Sequence, residues 1–170
     1  MKRILSGLVL LVIVGMYSSC SVTLSGSSIP LEMKTIDVEY FDNNALFVVN
    51  NLSQQFTEAL KDRIRSQTRL SIVRNPEADA SFSGAITNYT IAPVSVQATS
   101  PNAPPIANAS RLTITVKVKY TDNISKKGFE QDFTKTADFA GDIASQEQNL
   151  ILKINKDLTE DIFNKAFADW

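Results

Sequence analysis

Strict alternation of apolar and polar residues marks two stretches of the chain. From 111 to 120, Leu112, Ile114, Val116, Val118 and Tyr120 fall on one side of an extended backbone. Arg111, Thr113, Thr115, Lys117 and Lys119 fall on the other, as in a half-buried strand. Residues 129–139 alternate as well, with Phe129, Phe133, Ala137 and Phe139 opposed to Glu130, Asp132, Thr134 and Asp138. Between them Asp122-Asn123 and Lys126-Lys127-Gly128 spell a turn. Setting Tyr120 opposite Phe129 puts Lys119 against Glu130 and Lys117 against Asp132. Each such opposite-charge pair favours this register by roughly 0.2–1 kcal/mol.

Weaker alternation predicts further strands. In 35–40 Ile36, Val38 and Tyr40 oppose Thr35, Asp37 and Glu39, and 69–73 reads RLSIV. In 79–92 Phe82, Gly84 and Ile86 share one phase, which then shifts to Tyr89 and Ile91. A one-residue shift turns side chains to the opposite face, so a bulge near Thr87 or Asn88 is expected. Pro76 and Glu77 mark the turn before this strand. Residues 93–110, PVSVQATSPNAPPIANAS, hold four prolines and are expected to form a long mobile loop joining two strands, since proline cannot serve a central strand.

Two segments carry helical spacing instead. Leu52, Phe56, Ala59, Leu60 and Ile64 recur on one face, predicting a helix over about 51–67 capped by Asn50 or Asn51. Ile151, Ile154, Leu158, Ile162 and Ala166 predict a second over about 146–167, after a break at Gly141-Asp142, with Ser145 and Gln148 spaced as a capping box. The expected fold is α+β, two helices packed on one face of a single four- to five-stranded mixed or antiparallel sheet, in the order β-α-β-β-β-β-α.

The N-terminus has a different character. Lys2 and Arg3 precede a thirteen-residue apolar run over 4–16, which as a helix rises about 20 Å. That is too short for the ~30 Å hydrocarbon core of a membrane and right for a signal-peptide core. Tyr17-Ser18-Ser19 leads to Cys20, the one cysteine in the chain. The Ser/Gly-rich stretch 21–28 reads as a flexible tether. Three parts are expected: a signal peptide (1–19), Cys20 with its tether (20–30) and one domain (31–170).

Composition narrows the chemistry. The 170 residues include 17 Lys+Arg, 18 Asp+Glu, no His and one Cys, and apolar residues make up 44%, as in an ordinary packed domain. A formal net charge of −1 gives no field to gather nucleic acid. Without His the commonest general base and metal ligand are missing, and one Cys makes neither a zinc cluster nor a CxxC pair. No phosphate-cradling glycine motif occurs. Asp157, Glu160 and Asp161 cluster on the second predicted helix and read as its solvated face. No catalytic residue, cofactor or metal is therefore expected. The sequons at Asn51, Asn88, Asn108 and Asn123 are read as coincidental. Phe167 is expected in the core, and Trp170 is left between core anchor and partner contact.

Small residues before a lone cysteine resemble the lipobox of bacterial lipoproteins, although Tyr17 stands where that family has an aliphatic residue. The resemblance implies cleavage before Cys20 and acylation there, with two or more chains needed for stable anchoring. Loss of Lys2 and Arg3 would move the net charge from −1 to −3. No acidic cluster follows Cys20, which favours a body facing the periplasm.

Taken with the lipobox, SGSSIPLEMKTIDVEYF (25–41), SQQFTEALKDRIRSQTRLSIV (53–73), LTITVKVKY (112–120) and DIFNKAFADW (161–170) resemble the LptE family of lipopolysaccharide-assembly lipoproteins, in its Bacteroidota-type branch. The likeness spans essentially the whole mature chain, and its motifs are structural. It implies two helices on a four-stranded sheet and an outer-membrane lipoprotein that plugs the LptD β-barrel, assists its assembly and contacts lipopolysaccharide. In that light Arg111, Lys126 and Lys127, basic and near loop ends, are candidates for lipid A phosphate. Two competing readings remain. One is a lipoprotein of a secretion or envelope channel resembling the CsgG or TolB N-terminal type. The other is a periplasmic hydrolase, which would need carboxylates converging in a deep pocket.

Overall fold

The computed structural model describes residues 29–47, 49–97 and 106–168. The signal segment, Cys20, most of the tether and Trp170 lie outside the described residues. The elements are β1 (Thr35–Val38), β2 (Asp42–Asn43), α1 (Leu52–Gln67), β3 (Ser71–Val73), β4 (Ala80–Gln97), β5 (Ile106–Asp122), β6 (Lys127–Phe139) and α2 (Glu147–Phe167). The sheet order is β3-β1-β4-β5-β6, with β2 also paired to β4. β1 runs parallel to both β3 and β4, whereas β4-β5-β6 is an antiparallel meander, so the sheet is mixed. The two-residue β2 is the one element the sequence pattern did not foreshadow.

The meander carries the predicted register. Tyr120 pairs with Phe129, Lys119 with Glu130 and Lys117 with Asp132. The Lys117 ammonium, however, reaches diagonally to Glu130 at 3.3 Å. The expected bulge is present: Ile86 pairs with Val116 and Asn88 with Thr115, so Thr87 is the extra residue. This keeps Phe82, Ile86 and Tyr89 all buried on the helix-covered face. Gly84 is required within the same strand. Its φ is 153°, and a Cβ there would overlap the Lys117 carbonyl and come within 2.8 Å of the Phe41 ring.

Residues 93–110 do not form a loop throughout. β4 continues to Gln97 and β5 already begins at Ile106, with Pro93 paired to Ser110. Proline is tolerated because β2 reaches only Ala85 and Ile86, leaving the outer edge of β4 open beyond them. The end of the meander is thus a two-stranded ribbon projecting past the core. At the other side β1 stops at Val38, and Tyr40 is exposed, while Asp37 is nearly buried.

The helices begin without the expected side-chain caps. Asn51 precedes α1 in a left-handed conformation (φ 64°) and its side chain makes no cap hydrogen bond. Before α2, the Ser145 hydroxyl donates to the Asp142 carbonyl and the Gln146 amide to the carbonyls of Ala140 and Asp142. The polar side chains are spent closing the turn, and the capping box does not form. Gln148 instead exchanges amide hydrogen bonds with Gln55 of α1. Farther along, Arg63 reaches the Lys156 carbonyl and Glu160, so the helices lie side by side and point the same way.

The core lies between this helix pair and the sheet. Leu52, Phe56, Leu60 and Ile64 from α1 and Ile151, Ile154, Leu158 and Ile162 from α2 are essentially inaccessible, as are Phe82, Ile86, Ile114 and Val116 beneath them. Each such side chain contributes roughly 1.5–3 kcal/mol on burial. Phe41 meets Phe56 edge-on with centroids 5.1 Å apart. Phe167, in the core as expected, closes one end against Phe82 and Tyr120. Thr57, buried in α1, is satisfied on both counts: it donates to the Ser53 carbonyl and accepts the Phe41 N–H.

Candidate functional site

The two ends of the domain differ. β1 begins where the chain enters from Ile29, and the turns 74–79 and 122–127 lie beside that entry. The far end holds the β4–β5 ribbon, the β2–α1 connection and the start of both helices. Leu46, Phe47, Ile91 and Val94 are exposed there.

Asp79 stitches the entry end together. Its carboxylate accepts the N–H groups of Lys34 (2.8 Å) and Thr35 (2.9 Å) and the Thr35 hydroxyl (2.9 Å). These bonds, the Lys34 N–H foremost, hold its pKa below the usual carboxylate value. The Asp79 carbonyl accepts the Asn123 N–H, and the Asn123 amide donates to the Ala78 carbonyl. The entering segment, the 74–79 turn and the β5–β6 turn are thereby one unit.

Asp122 shapes the β5–β6 turn. Its carboxylate accepts from the Ile124 N–H, the Ser125 N–H and the Ser125 hydroxyl. Burial pushes its pKa up, but these hydrogen bonds and nearby Lys127 outweigh that and leave it lowered. Lys126 takes a left-handed conformation (φ 57°) to close the turn, one that costs an L-residue roughly 1–2 kcal/mol. Open depressions flank the turn. One of about 470 Å³ is lined by Lys119, Tyr120, Lys126, Lys127 and Phe129. The other, about 440 Å³, lies between Glu77, Asp79, Asn123, Ile124 and Lys126.

The structure separates the candidate phosphate ligands. Lys126 and Lys127 are exposed at this turn. Arg111 sits five residues into β5 toward the ribbon, eleven residues from Asp122 and so roughly 36 Å from the turn. Its guanidinium is held in a two-pronged pair with Asp138, Nε to Oδ1 at 2.6 Å and NH2 to Oδ2 at 2.8 Å. That pair raises the Arg111 pKa and lowers that of Asp138. The three cations therefore do not form one site. Cys20 lies outside the described residues. Sequence reasoning missed Asp79, Asn123 and exposed Ile124, whose only local signal is a cluster of turn-forming residues.

The sheet face away from the helices is polar. Thr115 and Thr134 share a hydroxyl hydrogen bond at 2.9 Å, flanked by the Lys117–Glu130 and Arg111–Asp138 pairs. Asp157, Glu160 and Asp161 do not converge in a cleft: Glu160 meets Arg63, and Asp161 meets Lys135 at 2.8 Å. Among the described residues no group of three or more acidic or sulfur ligands could hold a metal ion. Among them, too, no helix is long and apolar enough to cross a membrane.

The family model described as LptE, lipopolysaccharide-assembly, matches residues 33–166. The chain belongs to the LptE family. Among solved structures the rare lipoprotein B from Shewanella oneidensis is similar to it, at 10% identity and TM-score 0.53, over 78% of this chain and 93% of that one. The hypothetical protein CT253 from Chlamydia trachomatis is similar at 11% identity and TM-score 0.50, over 78% and 95%. At such identities the likeness is one of fold. No curated protein matches the chain.

Proposed function

We propose that this LptE-family chain is a non-catalytic, lipid-anchored subunit of the lipopolysaccharide translocon. In this reading Cys20 is acylated after removal of 1–19, the anchor sits in the outer membrane, and the body faces the periplasm and the lumen of an LptD-type β-barrel. There it plugs the barrel, assists its assembly and contacts lipopolysaccharide. The family match over 33–166 carries the reading. The polar outer face of the sheet supports it, because barrel lumens are polar and wet and a plug needs hydrated, hydrogen-bonding walls. Of the candidate phosphate ligands, Lys126 and Lys127 form no ion pair among the described residues, whereas Arg111 would first have to leave Asp138.

Depletion of the chain tests this reading. Loss of lipopolysaccharide from the cell surface, with precursor held in the periplasm, is the expected result. Loss of a secreted product with surface lipopolysaccharide intact would instead support an envelope-channel lipoprotein.

A further inference from the structure

A groove of about 330 Å³ lies between the solvent-facing flanks of α1 and α2, and Asn155 forms part of its wall. This side chain is 2% exposed, and neither its Nδ2 nor its Oδ1 has a hydrogen-bond partner among the described residues. A buried polar group in that state destabilises a fold, and the great majority of buried polar atoms are paired.

The groove's own residues do not serve this amide. The Thr159 hydroxyl donates to the Lys156 carbonyl and the Ser66 hydroxyl to the Arg63 carbonyl. Arg63 donates to the Lys156 carbonyl and to Glu160, and Asp62 accepts from Arg65. Lys156, exposed at the rim, has donors only and could serve at most the oxygen. Ala59, on the α1 side of the groove, has no polar side chain to offer. Two turns earlier the helices show what a satisfied amide looks like: Gln148 and Gln55 exchange hydrogen bonds in both directions, at 3.0 and 3.3 Å. Asn155 has no such counterpart on α1, so its partner has to come from outside the helix pair.

The amide sets the chemistry of that partner. It presents donor and acceptor side by side, so an anion, with acceptors only, or an ammonium, with donors only, matches half of it. One residue of an extended chain matches both, because its own N–H and C=O point to the same edge. In a helix those groups are already used. Leu152, 52% exposed and one turn before Asn155, lines the same groove and offers an aliphatic contact to a neighbouring side chain of such a segment.

We propose that the α1–α2 groove is a docking site for an extended polypeptide segment of a partner protein, clamped at one residue by the Asn155 amide. In the free chain the helices close over the amide, so docking turns the side chain outward, a movement that breaks no hydrogen bond. The site is independent of the anchor at Cys20 and of what the turn lysines bind.

The full chain in intact cells tests it first. With p-benzoylphenylalanine in place of Leu152, irradiation should crosslink the chain to one polypeptide segment, mapped by mass spectrometry, and adding Asn155→Leu should remove most of that product. The same photoprobe at Lys153, which does not line the groove, should not give it. A synthetic peptide of the mapped segment is then N-methylated at one backbone position at a time. At one position the methyl group should weaken binding to the purified mature chain carrying Cys20→Ala about tenfold, the scale of one buried hydrogen bond. It should have no further effect when Asn155→Leu is also present. Asn155→Leu alone should unfold at an equal or higher urea concentration, which separates lost docking from lost folding. A crosslink to saccharide or lipid only, or to nothing, would overturn the proposal. So would a crosslink that survives Asn155→Leu, a peptide indifferent to N-methylation throughout, or a lower urea midpoint for Asn155→Leu.

Discussion

The Thr35 hydroxyl donates to the Asp79 carboxylate at 2.9 Å and accepts the Asp79 N–H at 3.0 Å, a reciprocal pair 44 residues apart in sequence. It joins the first strand of the domain to the start of its longest one. The carboxylate is worth more ionised than protonated, since every partner is a donor. Its pKa in the folded state is lowered, so its stabilisation is present above the unfolded carboxylate value of about 3.9. It is lost as pH falls through the lower folded value. Asp79→Ala should therefore lower the urea midpoint at pH 7, and the deficit should shrink steadily below about pH 4. A deficit that stays constant into acid would contradict this role.

Gly84 is constrained from two sides, by its own φ and by the space beneath Phe41. Gly84→Ala must either move β5 at Lys117 or displace the Phe41 ring from Phe56. Destabilisation of about 2–3 kcal/mol is expected, read as a lower denaturant midpoint with an unchanged slope. Gly141 has positive φ but open space around it, so Gly141→Ala should cost less than Gly84→Ala.

At Lys126 the backbone and the charge make opposite demands. Replacing it by Gly relieves the left-handed conformation and should stabilise the domain by up to about 1 kcal/mol. Lys126→Ala removes the same charge but keeps the strain, and should leave stability nearly unchanged. The left-handed backbone at this position (φ 57°) is what separates the two; equal denaturant midpoints for the Gly and Ala variants would contradict the strained turn.

The meander was legible because several local signals agreed. Phase, opposite charges and a turn all pointed to Tyr120 opposite Phe129, and the slip from Ile86 to Tyr89 marked the bulge at Thr87. The ribbon was not legible, because the prolines of 93–110 speak against a central strand and say nothing of a strand whose outer edge is open. The helix starts misled for a related reason. Ser145 and Gln146 have nearby carbonyls to satisfy, and those in the 140–146 turn took them first. Of the site, the basic turn could be read from Lys126 and Lys127, but its distance from Arg111 could not, since that depends on how far β5 extends. Asp79 was invisible for the plainest reason: its partners are brought to it by the tertiary fold.

The account stands or falls on the partner. Native chain, extracted gently from the outer membrane through a C-terminal tag and resolved as an intact complex, should carry a large β-barrel protein in one-to-one ratio. Recovery of the chain alone, or with soluble periplasmic proteins only, would contradict its place in the translocon.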